Sequence, residues 1–224
     1  MDKGCPGCPV VGFARPAILT HRDRGNWVEA AFDAEVNLVA LFRDPGIHRK
    51  RHVQNVLDLV FSDDRGVRNQ THCWTDRFVQ ALGGLPGGLT VALENGVRCA
   101  CPKHLGLDAY RHRLERCWPH TLSWLRSLPS NHERIPLVLC DKDLIEGLAS
   151  MGSLKLRSGE PWQSPRPFWK AVGRFVRVEG GAAIVLAHPI VVRRYPGAYT
   201  EVVRKAVSSI KKLGSTGRLP RGAC

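Results

Sequence analysis

The sequence predicts an α/β fold: one three-layer α/β/α domain around a central, mainly parallel, four-stranded sheet. Three observations predict it. Four short apolar runs, at residues 36–42, 89–93, 135–140 and 182–187, are too short for helices and end at polar or turn-forming residues, as strands buried on both faces do. The stretches between them carry apolar residues at helical spacing. Parallel strands need crossovers, and the alternation of strand and helix supplies covers for the sheet.

Each element has a local reason. The first strand runs into Arg43-Asp44-Pro45-Gly46, the second into Glu94-Asn95-Gly96-Val97-Arg98-Cys99, and the fourth into His188-Pro189. Leu114, Cys117, Trp118, Thr121, Leu122 and Leu125 share one face of a helix that starts near Leu107, and Tyr199, Val202, Val203, Ala206, Ile210 and Leu213 share one face of another. Residues 151–178 are expected to form an irregular or short-stranded excursion before the last central strand. The domain spans residues 1–213. Residues 214–224, dominated by Gly, Ser, Thr, Pro and Arg, form a flexible basic tail.

A chain of 224 residues, 43% hydrophobic, can bury one substantial core. Its 33 Lys and Arg against 20 acids leave a formal charge of +13, which favours encounter with polyanions such as nucleic acid. No apolar run approaches the ~20 residues that cross a bilayer, and the opening Met-Asp-Lys-Gly-Cys lacks the charged-then-apolar pattern of a secretion signal. A cytoplasmic monomer with no membrane partner is expected. In that reducing compartment the Asn69-Gln70-Thr71 sequon is without consequence, and a clustered subset of the eight cysteines reads as metal ligands rather than disulfides.

Cys5 and Cys8 have the two-residue spacing with which adjacent thiolates grip one metal centre. Cys99 and Cys101 follow the second strand, and Cys117 lies on the inward face of the helix, so four thiolates meet at one corner. A four-iron cluster and a structural zinc both accept four sulfurs. Cys99 and Cys101 compete for one ligand position. Cys73, Cys140 and Cys224 stand apart and read as core or unligated thiols. Ligands of open parallel sheets bind beyond the carboxyl ends of the strands. There Asp44, Asn95 and His188 present a carboxylate, an amide and an imidazole, although Asp-Pro-Gly and Asn-Gly each also form ordinary turns.

These residues resemble the uracil-DNA glycosylase superfamily, specifically the branches that carry a [4Fe-4S] cluster. The resemblance spans nearly the whole chain. The family's opening Cys-x-x-Cys is matched by Cys5 and Cys8, and its first-strand motif Gly-Glu-Ala-Pro-Gly by Phe42-Arg43-Asp44-Pro45-Gly46. Its Asn-x-Val-Lys-Cys is matched by Asn95-Gly96-Val97-Arg98-Cys99, and its Cys-x-Pro-Tyr by Cys117-Trp118-Pro119-His120. The closing His-Pro-Ser before a basic helix is matched by His188-Pro189-Ile190, with Arg193 and Arg194 following. The chain departs from the pattern at Phe42 and Ile190, in a longer interval from Cys99 to Cys117, and in roughly a dozen extra residues after Gly46. Asp44 is similar instead to the aspartate of the Gly-Gln-Asp-Pro-Tyr motif in family 1 enzymes, and Cys73-Trp74-Thr75 to their base-stacking segment.

The resemblance implies hydrolysis of the N-glycosidic bond of uracil, or of other deaminated bases, in DNA. It makes Asp44 and His188 catalytic: Asp44 stabilises the sugar cation and orients water, and neutral His188 donates to the base oxygen that gathers negative charge. Asn95 reads the uracil edge, Trp74 stacks on the flipped base, and Arg43 and Gly46 complete the substrate pocket. Gly46, where family 1 enzymes have a tyrosine that excludes the thymine methyl, implies a roomier pocket. Arg49, Arg51, Arg193 and Arg194 contact DNA, with Val191 and Val192 as the wedge. The implied ligands of the cluster are Cys5, Cys8, Cys99 and Cys117. Two rival readings stay open: a uracil-DNA-binding protein of the same fold that is catalytically silent or traps DNA covalently, and a zinc-stabilised protein of another function.

Overall fold

The computed structural model describes residues 17–22, 26–31, 33–44, 89–98, 105–129, 135–179 and 181–186, together with Glu201, Arg204 and Ser208. These residues form an α/β fold. The strands are β1 (Ala17–Arg22), β2 (Asn26–Glu29), β3 (Leu38–Phe42), β4 (Leu89–Asn95), β5 (Leu137–Leu139), β6 (Leu154–Leu156), β7 (Phe175–Val178) and β8 (Gly181–Val185). The helices are α1 (Leu107–Ser127) and α2 (Lys142–Ser150), with a 3-10 turn at Phe168–Ala171.

Among the described residues the sheet has eight strands in the order β2-β1-β4-β3-β5-β8-β7-β6. Its centre, β4-β3-β5-β8, is parallel throughout and coincides with the four apolar runs. The expected four-stranded sheet is therefore corrected to an eight-stranded mixed one: β1 and β2 extend it antiparallel on one side, β7 and β6 on the other. Continuous apolar runs reveal only strands buried on both faces, and β6 and β7 are not of that kind. In β6 and β7, exposed Lys155 and Arg177 alternate with buried Leu154, Val176 and Val178, the pattern of half-buried strands. These two strands, of three and four residues, give the 151–178 segment the short-stranded form expected of it.

One face of the sheet packs on α1 and α2. Tyr110, Leu114, Trp118 and Leu125 of α1, with Leu144, Ile145 and Leu148 of α2, form one cluster with Val39, Leu41, Ala92, Leu137, Leu139 and Val185. The alternate residues Leu38, Ala40, Val91, Leu93, Val138 and Ile184 point to the opposite face and are also buried, which is what a three-layer arrangement requires. The two helices meet closely at Gly147, where a Cβ would lie 2.6 Å from Leu114 Cδ2. Glu201, Arg204 and Ser208 are helical, as the spacing over 199–213 predicts, with Ser208 Oγ donating to the Arg204 carbonyl four residues back.

α2 was not anticipated. Asp141 caps it: its carboxylate accepts from the backbone N–H of Asp143 at 2.7 Å and of Leu144 at 3.4 Å, satisfying donors that the first helical turn leaves open. Because α2 starts directly after β5, Asp141 and Asp143 stand at the carboxyl edge of the sheet.

Candidate functional site

The strand order sets where a ligand can sit. The connection after β3 leads to β4 on one side, and the chain then returns across β3 to β5 on the other. The crevice of such a sheet opens between those outward connections, beyond the carboxyl ends of β3 and β5. Phe42 is followed there by Arg43 and Asp44, and Leu139 by Cys140 and Asp141. The edge is pinned by backbone bonds, Gly96 N–H to the Phe42 carbonyl at 2.8 Å and Cys140 N–H to the Leu41 carbonyl at 2.9 Å.

Arg43 is the node of this edge. Its Nη1 donates to Asp44 Oδ2 at 2.9 Å, and its Nε lies 3.0 Å from Asp143 Oδ2, an ion contact in which the N–H is not directed at that oxygen. Nη2 reaches the Leu105 carbonyl at 3.4 Å, and the guanidinium lies 4.7 Å from the centroid of the Tyr110 ring, a cation–π distance. Tyr110 Oη donates in turn to the Arg43 carbonyl at 3.0 Å, so α1 holds both ends of this residue. Burial pulls the guanidinium pKa down, but Asp44, Asp143 and Asp141 together outweigh it and raise it above the ordinary value. The Asp44 side chain is only 4% exposed.

A second ion pair lies one strand away on the same face as α1. Arg98 reaches Glu94 Oε2 through Nε at 3.1 Å and Nη2 at 2.9 Å, and Nη2 also donates to the His120 carbonyl at 3.3 Å. Glu94 Oε1 accepts the Asn95 backbone N–H at 2.7 Å. Burial nevertheless pushes the Glu94 carboxyl up to about 7, against the opposing pull of Arg98 and that N–H. Asp141, buried beside Asp143, is likewise pushed up to about 6.

Asn95 differs from all of these. The residue is fully buried, its carbonyl accepts from Thr121 Oγ1 at 3.3 Å, and its register partner on β3 is Phe42. Its side-chain Oδ1 and Nδ2 are both buried and neither has a hydrogen-bond partner among the described residues. Leaving a buried amide unsatisfied costs about 1–3 kcal/mol for each group, and a water, an ion or a ligand can complete the bonding at such an exception. Asp44 lies two residues after Phe42, the register partner of Asn95, just beyond the end of β3.

Of the expected site residues, the structure brings Arg43, Asp44 and Asn95 to one edge formed by two neighbouring strands. Arg43 is engaged there with two carboxylates and a tyrosine. Asn95 is the last residue of β4 rather than part of the loop after a strand ending at Leu93, because the parallel ladder with β3 continues to Phe42 and Asn95. Cys117 is buried on α1. His188, Trp74, Gly46, Arg49, Arg51, Arg193, Arg194, Cys5, Cys8 and Cys99 lie outside the described residues, although β8 leads to the same edge, where Leu186 N–H donates to the Leu139 carbonyl at 2.8 Å. Tyr110, Glu94, Asp141 and Asp143 were missed as members of the edge. For Asp141 a signal existed: an aspartate directly after an apolar run and before Leu144, Ile145 and Leu148 is a helix-start pattern.

A carboxyl whose pKa is raised by folding binds its proton more tightly in the folded state, so stability is lost as pH rises through the folded value. For Glu94 that window runs from its ordinary 4.5 to about 7, and for Asp141 from 3.8 to about 6. Between about pH 6 and 7 the Glu94 contribution dominates, and Glu94→Gln is expected to flatten the fall in Tm that the wild type shows there. Parallel Tm-versus-pH curves for the two proteins would contradict it. No protein-family model and no curated protein matches this chain.

Proposed function

We propose that the protein is a DNA glycosylase that hydrolyses the N-glycosidic bond of uracil, and of related deaminated bases, leaving an abasic site. The observation that carries this reading is the buried Asn95 amide, without a partner among the described residues, at the end of the strand next to the one that Asp44 follows. A carboxamide offers one acceptor and two donors. Its oxygen accepts the N3–H of uracil and its N–H donates to O4, whereas cytosine presents the opposite pattern. A site with a hydrogen-bonding group built for one edge strongly rejects the other.

The chemistry needs charge of both signs. As the glycosidic bond breaks, the sugar becomes cationic and the base leaves as an anion; water then adds to C1′ and gives up a proton. Asp44, kept anionic by the guanidinium of Arg43, faces the cation and directs the water. Arg43 thereby acts as a positioning residue for Asp44. His188 donates to the departing base oxygen, Trp74 stacks on the extruded base, and Gly46 leaves room for bases other than uracil. Arg49, Arg51, Arg193 and Arg194 bind the phosphates, in keeping with the +13 charge.

Incubation with a uracil-bearing oligonucleotide followed by alkali is expected to cut the strand at uracil. Asp44→Asn should slow release by about 10²–10⁴-fold, and Asn95→Ala by about 10²–10³-fold. Wild-type protein that binds the oligonucleotide but releases no base would overturn the reading in favour of a binding module.

Cys5, Cys8, Cys99 and Cys117 would hold a [4Fe-4S] cluster, with zinc the alternative for the same four thiolates. The surroundings of Cys117 fit: its thiol is buried and close enough to Glu94 to act on that carboxyl, and Arg98, the residue before Cys99, donates to the α1 backbone at His120. Hydrolysis moves no electrons, so the cluster would tie the chain around Cys99, and with it Asn95, to α1. Purified protein should contain iron and acid-labile sulfide, and Cys117→Ser should lose both. Zinc without iron would replace the cluster by a zinc site.

A further inference from the structure

A cavity of about 730 Å³ lies away from the Arg43 node, between α2, the first turns of α1 and the 162–168 segment. Arg111, Lys142 and Arg166 line it, with Glu146 as the carboxylate in the wall. Glu146 is already occupied: Lys142 Nζ lies 3.6 Å from its Oε1, and Ser164 Oγ donates to it at 3.4 Å. What remains unsatisfied is one-sided. Arg111 Nε is buried without a hydrogen-bond partner, its Nη1 reaching only the exposed Asp108 at 3.3 Å. The Trp162 indole N–H is also buried without an acceptor, in a residue that is 5% exposed. Both orphans are donors, so their complement is a group made of acceptors. Three cations against Glu146 and the exposed Asp108 leave a local charge of +1, of the sign that a phosphate, about −1.5 to −2 as a monoester, requires.

The cavity is larger than a phosphate needs, and pockets of ~300–1,000 Å³ take small organic ligands. Trp162 and Phe168, with Pro165 and Pro167, supply apolar and planar wall beside the donors. We propose that this cavity is a second binding site, for a nucleotide: Arg111, Arg166 and the Trp162 N–H take the phosphate, and the aromatic wall takes the base. The site is independent of the glycosylase reading, since none of its residues takes part in base excision. The nucleotide can be a free 5′-monophosphate or one unit of a DNA strand, whose phosphate offers the same oxygens.

Calorimetric titration of the whole chain with thymidine 5′-monophosphate, thymidine, inorganic phosphate and a short oligothymidylate distinguishes the sources. The monophosphate should bind at least about tenfold more tightly than the nucleoside or inorganic phosphate, and the exposed Arg166→Gln should weaken it by about 10-fold or more, the loss of a charge-assisted bond. Trp162→Phe, which keeps the ring and removes the donor, should weaken it less. If the oligothymidylate alone binds, and Arg166→Gln weakens it to the same degree, the phosphate is that of a strand and the site stands. Binding of neither, or affinities indifferent to Arg166→Gln and Trp162→Phe in folded protein, would overturn the proposal.

Discussion

The carboxyl edge of the sheet depends on one guanidinium. Arg43 follows β3, a strand with parallel neighbours on both sides, and its charge is shared by Asp44 from its own strand end and Asp143 from α2, while Tyr110 of α1 lies against it. A strand end and the two helices packed on one sheet face thus converge on one cation. An ion pair removed from water is costly unless its geometry and remaining bonds are satisfied. Here the Leu105 carbonyl and the Tyr110 ring provide the rest. The arrangement holds the Asp44 carboxyl group against the guanidinium in a nearly buried position.

Asn95 presents the complementary case. Among the described residues Asn95 is buried with both side-chain polar atoms unmet, although its backbone is used by the Glu94 carboxylate and Thr121. That contrast between a satisfied backbone and an orphaned amide is the basis of the proposed base-reading role. The Glu94–Arg98 pair ties Arg98 to α1, so the amide stands on a rigid support, as that proposed role requires.

Much of this was legible in the sequence because the central strands are buried on both faces and therefore apolar without interruption: β3, β4, β5 and β8 fall within or beside the predicted runs. α1 was legible from its single apolar face, ending in the buried Leu125. The flanking β6 and β7 were not, since Lys155 and Arg177 break the apolar pattern at positions that need only one covered face. α2 was hidden by its shortness, at nine residues. In the site, Asp44 and Asn95 were readable as polar residues at strand ends. Tyr110 and Asp143 were not, because their role arises from how α1 and α2 meet the sheet, a relation across 67 and 100 residues of chain that no local pattern encodes.

The central claim is that the Asn95 amide is a base reader. The most direct measurement is the side-chain ¹⁵N–¹H₂ resonance pair of Asn95, assigned by comparison with Asn95→Asp, followed while free uracil or cytosine is added. Uracil should shift this pair and cytosine should leave it in place. Equal responses to the two bases, or none to uracil at saturating concentration, would contradict the account.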